Sequence, residues 1–222
     1  EVMVKALNSN DRDFDIKAAG TAMRFLTAFL SKVVGEWTIT GTERMKNRPI
    51  KILVDALNAL GARVEYMEKE GYPPLRIFGS ALQGGEISLA GGVSSQYISA
   101  LLMIAPLMEN GLTLHLEGVV ISKPYINLTL QLMEQYGVKA EWNGQTIKVR
   151  PQDYHPIPFT VESDWSAASY WYSMMALSKN AEIELLGLFK NVCRDLCVIE
   201  YPFPFYRFAK SEDKRNRPHR SA

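Results

Sequence analysis

The spacing of apolar and polar positions changes along the chain on a schedule. Met23, Phe25, Leu26, Phe29 and Leu30 recur at helical intervals and predict a helix over 21–31, entered through Ala18-Ala19-Gly20. Residues 36–40 alternate as a strand does and stop at Gly41. A polar loop, 42–48, leads to Pro49, which is placed to open a second helix where proline costs least. Ile52, Leu53, Ala56, Leu57 and Leu60 form the expected inner face of that helix, and Gly61 ends it. Residues 63–67 and 75–78 read as a hairpin around Gly71-Tyr72-Pro73-Pro74. Ahead of all this, 1–15 is charged and carries only a short expected strand at 2–7.

The same order then recurs. A strand at 86–89 is followed by Gly91-Gly92, a helix over 94–108 and a strand at 112–116 that ends at Gly118. Another polar loop leads to Pro124, a helix over 125–136 and Gly137. A hairpin of 138–142 and 146–150 turns at Asn143-Gly144. Pro49 and Pro124 lie 75 residues apart, Gly61 and Gly137 76, and Gly41 and Gly118 77. A third copy begins with a strand at 159–162, a helix over 164–177, a strand at 182–186 and Gly187, but from Val192 onward no matching helix follows. The unit is therefore strand, helix, strand, loop, proline-led helix and hairpin. Its period is too long for a solenoid of short repeats and implies α/β units packed side by side, with helices buried between sheets.

Composition narrows the function. The 222 residues are 47% apolar and 22% charged, with a net charge of +1, so neither nucleic acid nor a membrane surface is the expected partner. Any positive site must be local. The uncharged run 87–108 is broken by Ser88, Gly91, Gly92, Ser94, Ser95 and Gln96 and is no membrane span. Cys193 and Cys197 are the two cysteines, which makes no disulfide framework and fits a reducing, cytoplasmic compartment. Neither they nor His115, His155 and His219 have metal-ligand spacing. Without a dinucleotide fingerprint, a phosphate loop or a Ser-His-Asp order, no cofactor and no metal are expected.

Candidate chemistry gathers at the helix starts. Gly91-Gly92-Val93-Ser94-Ser95-Gln96-Tyr97 runs straight into an apolar helix. The unpaired N–H groups of a first helical turn carry partial positive charge, and glycines let a ligand approach the backbone. This is either a cradle for an anionic, hydroxyl-rich small molecule or an ordinary serine-capped helix. Equivalent positions are Gly20, Thr21 and Arg24 in the first copy and Asp164, Trp165 and Ser166 in the third, with Asp164 first of all an N-cap. The loops before the proline-led helices add Arg44, Lys46 and Arg48, then Ser122 and Lys123 with Tyr125 just after. Repeat symmetry brings these to one end of the domain, where Arg44 is placed to hold a carboxylate or phosphate in bidentate fashion.

Five motifs carry a family resemblance: Ala19-Gly20-Thr21-Ala22-Met23-Arg24, Arg44-Met45-Lys46-Asn47-Arg48-Pro49, Ser94-Ser95-Gln96, Ser122-Lys123-Pro124-Tyr125, and Asp164-Trp165-Ser166-Ala167-Ala168-Ser169-Tyr170. Their order over 15–191 resembles the 3-phosphoshikimate 1-carboxyvinyltransferase (EPSP synthase) family. The resemblance implies an α/β (α+β) chain of repeated βαβαββ units, the inside-out α/β barrel of the enolpyruvyl transferase fold, here incomplete. Residues 1–160 would be two repeat units of one domain, 161–191 the start of a second, and 192–222 a non-matching tail.

The implied reaction moves the enolpyruvyl group of phosphoenolpyruvate to the 5-hydroxyl of shikimate 3-phosphate through a tetrahedral adduct, releasing phosphate without a metal. By motif, Ser94, Ser95, Gln96, Ser122 and Tyr125 would hold shikimate 3-phosphate, while Gly20, Arg44 and Gln96 would face phosphoenolpyruvate. A monomer is expected at full length.

Three departures qualify this. Phe25 stands where many members have proline, on a helix whose shift would alter how inhibitors fit. The family's early Lys-Ser motif, the Asp of its Ile-Pro-Asp motif and its Lys-Glu-Thr-Asp-Arg motif are absent, so no general acid or base is assigned. The chain is accordingly expected to be an inactive internal fragment. After Lys190-Asn191 the family continues with a Ser-x-Gln-Gly-Asp-like motif, whereas this chain reads Val192-Cys193-Arg194-Asp195. Codons for Val-Cys-Arg followed by the first base of Asp spell Met-Gln-Gly in another frame, so a frameshift near 191 in the parent gene is expected. Sequencing the source DNA tests this: an intact frame with no family-like sequence downstream in another frame would remove the idea. Two alternatives remain: UDP-N-acetylglucosamine enolpyruvyl transferase, disfavoured by the Ser-Ser-Gln and Ser-Lys-Pro-Tyr motifs, and a non-catalytic anion-binding module.

Overall fold

The computed structural model describes residues 2–161 and 163–178, together with Ile183, Leu185, Gly187 and Leu188. The chain divides into two compact units, Glu1–Pro156 and Ile157–Ala222.

In the first unit two copies of one βαβαββ pattern follow each other. The first comprises β1 (Asp13–Asp15), α2 (Gly20–Lys32), β2 (Gly35–Thr40), the short α3 (Glu43–Lys46), α4 (Lys51–Ala59), β3 (Arg63–Tyr66) and β4 (Leu75–Gly79), preceded by α1 (Val2–Asn8). The second comprises β5 (Gly85–Ala90), α5 (Ser95–Ile104), β6 (Leu112–Glu117), α6 (Lys123–Gln135), β7 (Ala140–Asn143) and β8 (Thr146–Val149). Their sheets have the same order, β1-β2-β4-β3 and β5-β6-β8-β7. In each, the first pair is parallel, with Phe14 opposite Ile39 and Ile87 opposite Leu114, and the rest are antiparallel.

One continuous core joins the two copies. Helix α2 packs against α5, and α5 against α6. These first helices are buried on almost every side, and two buried hydroxyls of α2 are satisfied within the helix. Thr27 Oγ1 donates to the Met23 carbonyl at 2.7 Å, and Ser31 Oγ to the Thr27 carbonyl at 2.8 Å. Helix α4 buries Leu53, Val54, Ala56 and Leu57. The Asn58 side chain then ties it to β3, donating to the Val64 carbonyl at 3.1 Å and accepting from the Val64 N–H at 2.9 Å.

The backbone corrects several expectations. Residues 2–8 are helical, with Val2, Met3 and Ala6 against the core and Val4 exposed, a spacing that only a helix produces. Residues 13–15 add a strand where none was expected, because Phe14 alone is buried there and the pairing comes from β2. Pro49 lies ahead of α4, whose N-cap is Ile50, and the inner face runs through Ile50, Leu53, Val54, Leu57 and Leu60, leaving Ile52 exposed. The helix expected over 94–108 closes at Ile104 and continues as a 3₁₀ turn, Ala105–Leu107, around Pro106. In the second hairpin Asn143 pairs with Thr146, so the turn is made by Gly144 and Gln145, one residue later than expected.

In the second unit α7 (Trp165–Leu177) matches the expected third-copy helix. Residues 159–161 form no strand; position 162 and most of the strand expected at 182–186 lie outside the described residues. So does the whole of 189–222, including the junction expected near 191.

Candidate functional site

Parallel strands leave their carboxyl ends together, and the loops that follow carry the candidate residues. After β1 and β2 the loops meet where the Thr42 N–H donates to the Lys17 carbonyl at 3.1 Å. After β5 and β6 the Gly91 N–H donates to the Glu117 carbonyl at 2.6 Å, and a Cβ on Gly91 would stand 2.9 Å from the Val119 carbonyl oxygen. Helices α2 and α5 start from these loops and lie side by side.

Neither start is capped by a side chain. Ser94 occupies the N-cap position of α5 but makes no capping bond, and Ser122 does the same at α6. The ordinary capping role therefore does not account for these hydroxyls. The first-turn N–H groups keep their partial positive charge toward the loop side.

Gly20, the first residue of α2, is crowded by guanidinium groups. A Cβ there would overlap the Arg48 guanidinium and stand 2.8 Å from Arg24 Nη1. Arg24 is 6% exposed, and its Nη1 donates to the Gly20 carbonyl at 2.7 Å. Its guanidinium lies 5.4 Å from the centre of the Tyr97 ring, a cation–π contact, while its buried Nε has no partner. Tyr97 in turn donates its hydroxyl to the Pro49 carbonyl at 2.7 Å, which holds the end of the loop that carries Arg48. Beside them, Gln96 Nε2 donates to Thr21 Oγ1 at 3.0 Å.

The expected residues are thus partly brought together. Gly20 and Gln96 share one cluster with Thr21, Arg24, Arg48 and Tyr97. Ser94 and Ser95 adjoin it through the start of α5. Arg44 lies exposed on α3, one turn before Arg48. Its neighbour Lys46 is occupied by Glu68 at 3.0 Å and Glu43 at 3.7 Å, and the Glu68 hydrogen bond holds its ammonium above the usual lysine range. Among the described residues neither Arg44 nor Arg48 has a carboxylate partner, so both guanidinium charges remain available.

Ser122 and Tyr125 sit at the first turn of α6. Thr129, which donates to the Tyr125 carbonyl at 3.1 Å, bonds Ser99 of α5 at 2.7 Å, so the two helices are linked one to two turns beyond their starts. Phe25 is half-buried against the core. Asp164 immediately precedes α7 in the second unit.

Arg24 was expected among the candidates at the first helix start, and Tyr97 closed the expected cradle at 91–97 without a role of its own; their contact with each other had no signal in the sequence. His115 bonds Glu86 through Nε2 at 2.7 Å and Thr146 through Nδ1 at 2.9 Å across its sheet. Among the described residues no group of three His, Cys, Asp or Glu side chains is placed to hold a metal ion, and no helix is long and apolar enough to cross a membrane.

A repeated βαβαββ unit with anion-suited helix starts at one end defines an enolpyruvyl-transferase-like α/β protein. Residues 2–201 match the family model described as EPSP synthase (3-phosphoshikimate 1-carboxyvinyltransferase), and the chain belongs to that family. The 3-phosphoshikimate 1-carboxyvinyltransferase of Bacteroides fragilis is 63% identical over 192 residues, 86% of this chain and 47% of the relative. That of Vibrio campbellii is 46% identical over 176 residues, 78% of this chain and 41% of the relative. The chain spans about half the length of the curated relatives it matches. Among solved structures, EPSP synthase from Acinetobacter baumannii superposes with a TM-score of 0.63 at 21% identity, over 73% of this chain and 36% of the other. The fold is therefore the enolpyruvyl transferase fold. The UDP-N-acetylglucosamine alternative is not favoured by these matches.

Proposed function

We propose that this chain contributes one side of a site that transfers the enolpyruvyl group of phosphoenolpyruvate to the 5-hydroxyl of shikimate 3-phosphate. The observation that carries the reading is the convergence of Arg24 and Arg48 on Gly20, beside Gln96 and two uncapped helix starts. Two anionic substrates need fixed donors and guanidinium charge, and this cluster offers both. Ser94, Ser95, Gln96, Ser122 and Tyr125 are the donors proposed for shikimate 3-phosphate; Gly20, Arg44 and Gln96 are those proposed for phosphoenolpyruvate. In the transfer the 5-hydroxyl oxygen bonds to the enol carbon and gives up its proton, while the methylene carbon gains one and becomes a methyl group. Phosphate then leaves with the electrons of its C–O bond as the methyl group loses one proton, which restores the double bond. No residue of the chain is assigned to those proton transfers. The protein is proposed to work in the cytoplasm, as a monomer at full length. Residues 1–160 would be two repeats of one domain and 161–191 the start of another.

Calorimetric titration of the purified chain with shikimate 3-phosphate tests the reading. Binding on the order of millimolar is expected, because half of the family's length is missing, and Ser95→Ala should weaken it about tenfold. A folded chain that binds neither substrate would overturn the reading. Phosphate release from the two substrates together would separate an enzyme from a plain anion-binding module.

A further inference from the structure

Thr21 and Gln96 are 75 residues apart, the period of the repeat itself. Each is the second residue of its helix, Thr21 in α2 and Gln96 in α5. The bond between them, Gln96 Nε2 to Thr21 Oγ1 at 3.0 Å, joins equivalent positions of the two copies across the seam where their helices start.

A glutamine carboxamide offers two N–H donors and one carbonyl acceptor, and its terminal torsion is soft. Unanchored, it presents either end to a ligand. Next to Gln96, the Tyr97 hydroxyl donates to the Pro49 carbonyl at 2.7 Å, which ties down the start of α5. Thr21 takes one N–H of the Gln96 carboxamide. Thr21 is itself exposed, so its hydroxyl supports no core contact. Gly20, the residue before it, lies against the Arg48 guanidinium.

The geometry points to Thr21 as a positioning residue: it fixes the Gln96 carboxamide so that its second N–H faces a carboxylate or phosphate oxygen of the ligand held beside Gly20 and Arg48. This rests on the proposed role of Gln96 toward phosphoenolpyruvate. Thr21 touches the ligand through Gln96 and not directly. Thr21→Val keeps the shape and removes the acceptor, whereas Thr21→Ser keeps the acceptor.

The test has two arms. In the isotope-labelled full chain, the Gln96 side-chain amide signals, assigned by their loss in Gln96→Ala, should move in Thr21→Val and stay in Thr21→Ser. Calorimetric titration with phosphoenolpyruvate should then show about fivefold to tenfold weaker binding in Thr21→Val and near-normal binding in Thr21→Ser. In a Gln96→Ala background, Thr21→Val should have no further effect. Unmoved amide signals, or an equal loss in that background, overturn the inference and leave the functional reading standing. Displaced signals in a folded chain that binds no phosphoenolpyruvate strike the functional reading, and with it the ligand named here.

Discussion

The two copies in the first unit share strand order, pairing sense and helix placement, yet they differ where their loops leave the parallel strands. Copy one follows β2 with α3 and its cations Arg44, Lys46 and Arg48. Copy two follows β6 with Gly118-Val119-Val120-Ile121-Ser122, whose Val119 and Ile121 are exposed. One copy supplies charge to the shared end of the fold, and the other supplies hydroxyls and a carboxamide. Apolar positions facing the core hold the architecture in both, while the loops are free to diverge because they carry little packing.

Packing also differs between the proline-led helices. Helix α4 buries four residues in nine, whereas α6 buries only Ile126 and Met133 in thirteen. Truncation of matched core residues tests this difference most directly. Leu57→Ala, at a fully buried site, should cost about 3 kcal/mol in urea unfolding, and Met133→Ala about 2 kcal/mol or less because loosely packed surroundings relax. Equal losses would show that α6 is held as firmly as α4.

Gly41 and Gly118 stand at matching places for different reasons. A Cβ at Gly41 would overlap the Lys17 carbonyl oxygen and stand 2.9 Å from Met45, with no unusual backbone angle involved. Gly118 has φ +76° and open space around it. Gly41→Ala should therefore destabilise by about 2 kcal/mol through overpacking, and Gly41→Asn should be no better. Gly118→Ala should cost about 1 kcal/mol from the left-handed backbone, and Gly118→Asn should recover part of it. Thermal midpoints of the four variants decide whether crowding and conformation separate in this way.

Smaller effects are expected from two tyrosines whose hydroxyls are both pushed up to about 12 by burial. Tyr154 donates to the Met103 carbonyl at 2.9 Å, while the Tyr66 hydroxyl is buried without a partner. Tyr154→Phe should lose about 1 kcal/mol, and Tyr66→Phe should be neutral or slightly stabilising. Both groups hold their protons more tightly folded than unfolded. Their contribution is complete below the ordinary value of 10.0 and is lost as pH rises toward about 12, which an ultraviolet titration beside alkaline unfolding would follow.

The smallest effect expected is at Glu70, whose carboxyl is held below its usual range by the Lys51 hydrogen bond. Its contribution is present above the ordinary carboxylate range and fades as pH falls through the lowered value. Lys51→Met should flatten that acid limb of the stability curve.

Much of this was legible because it is local. Helical and alternating spacings reported the strands and helices of both copies, and glycine and proline marked their ends. Where some readings failed, the deciding contact was distant. Three residues, 13–15, become a strand only because β2 pairs with them. Ile52 has the same chemistry as Leu53 and points outward because the core lies on the other side of α4. The candidate residues were recognisable by type at the helix starts, but not which of them would meet.

The order of amino acids by itself determined the repeat, its period of about 75 and the end of the fold at which polar residues gather, because periodicity and turn chemistry act within a few residues. Only the tertiary structure decided that Arg24 is buried against Tyr97 and Gly20, that Tyr97 anchors Pro49 across 48 positions, and that Gln96 meets Thr21 across 75. Apolar and polar spacing does not report which side chains meet in such contacts. They form when the two copies pack helix to helix, and burial then fixes side chains that the local sequence leaves free.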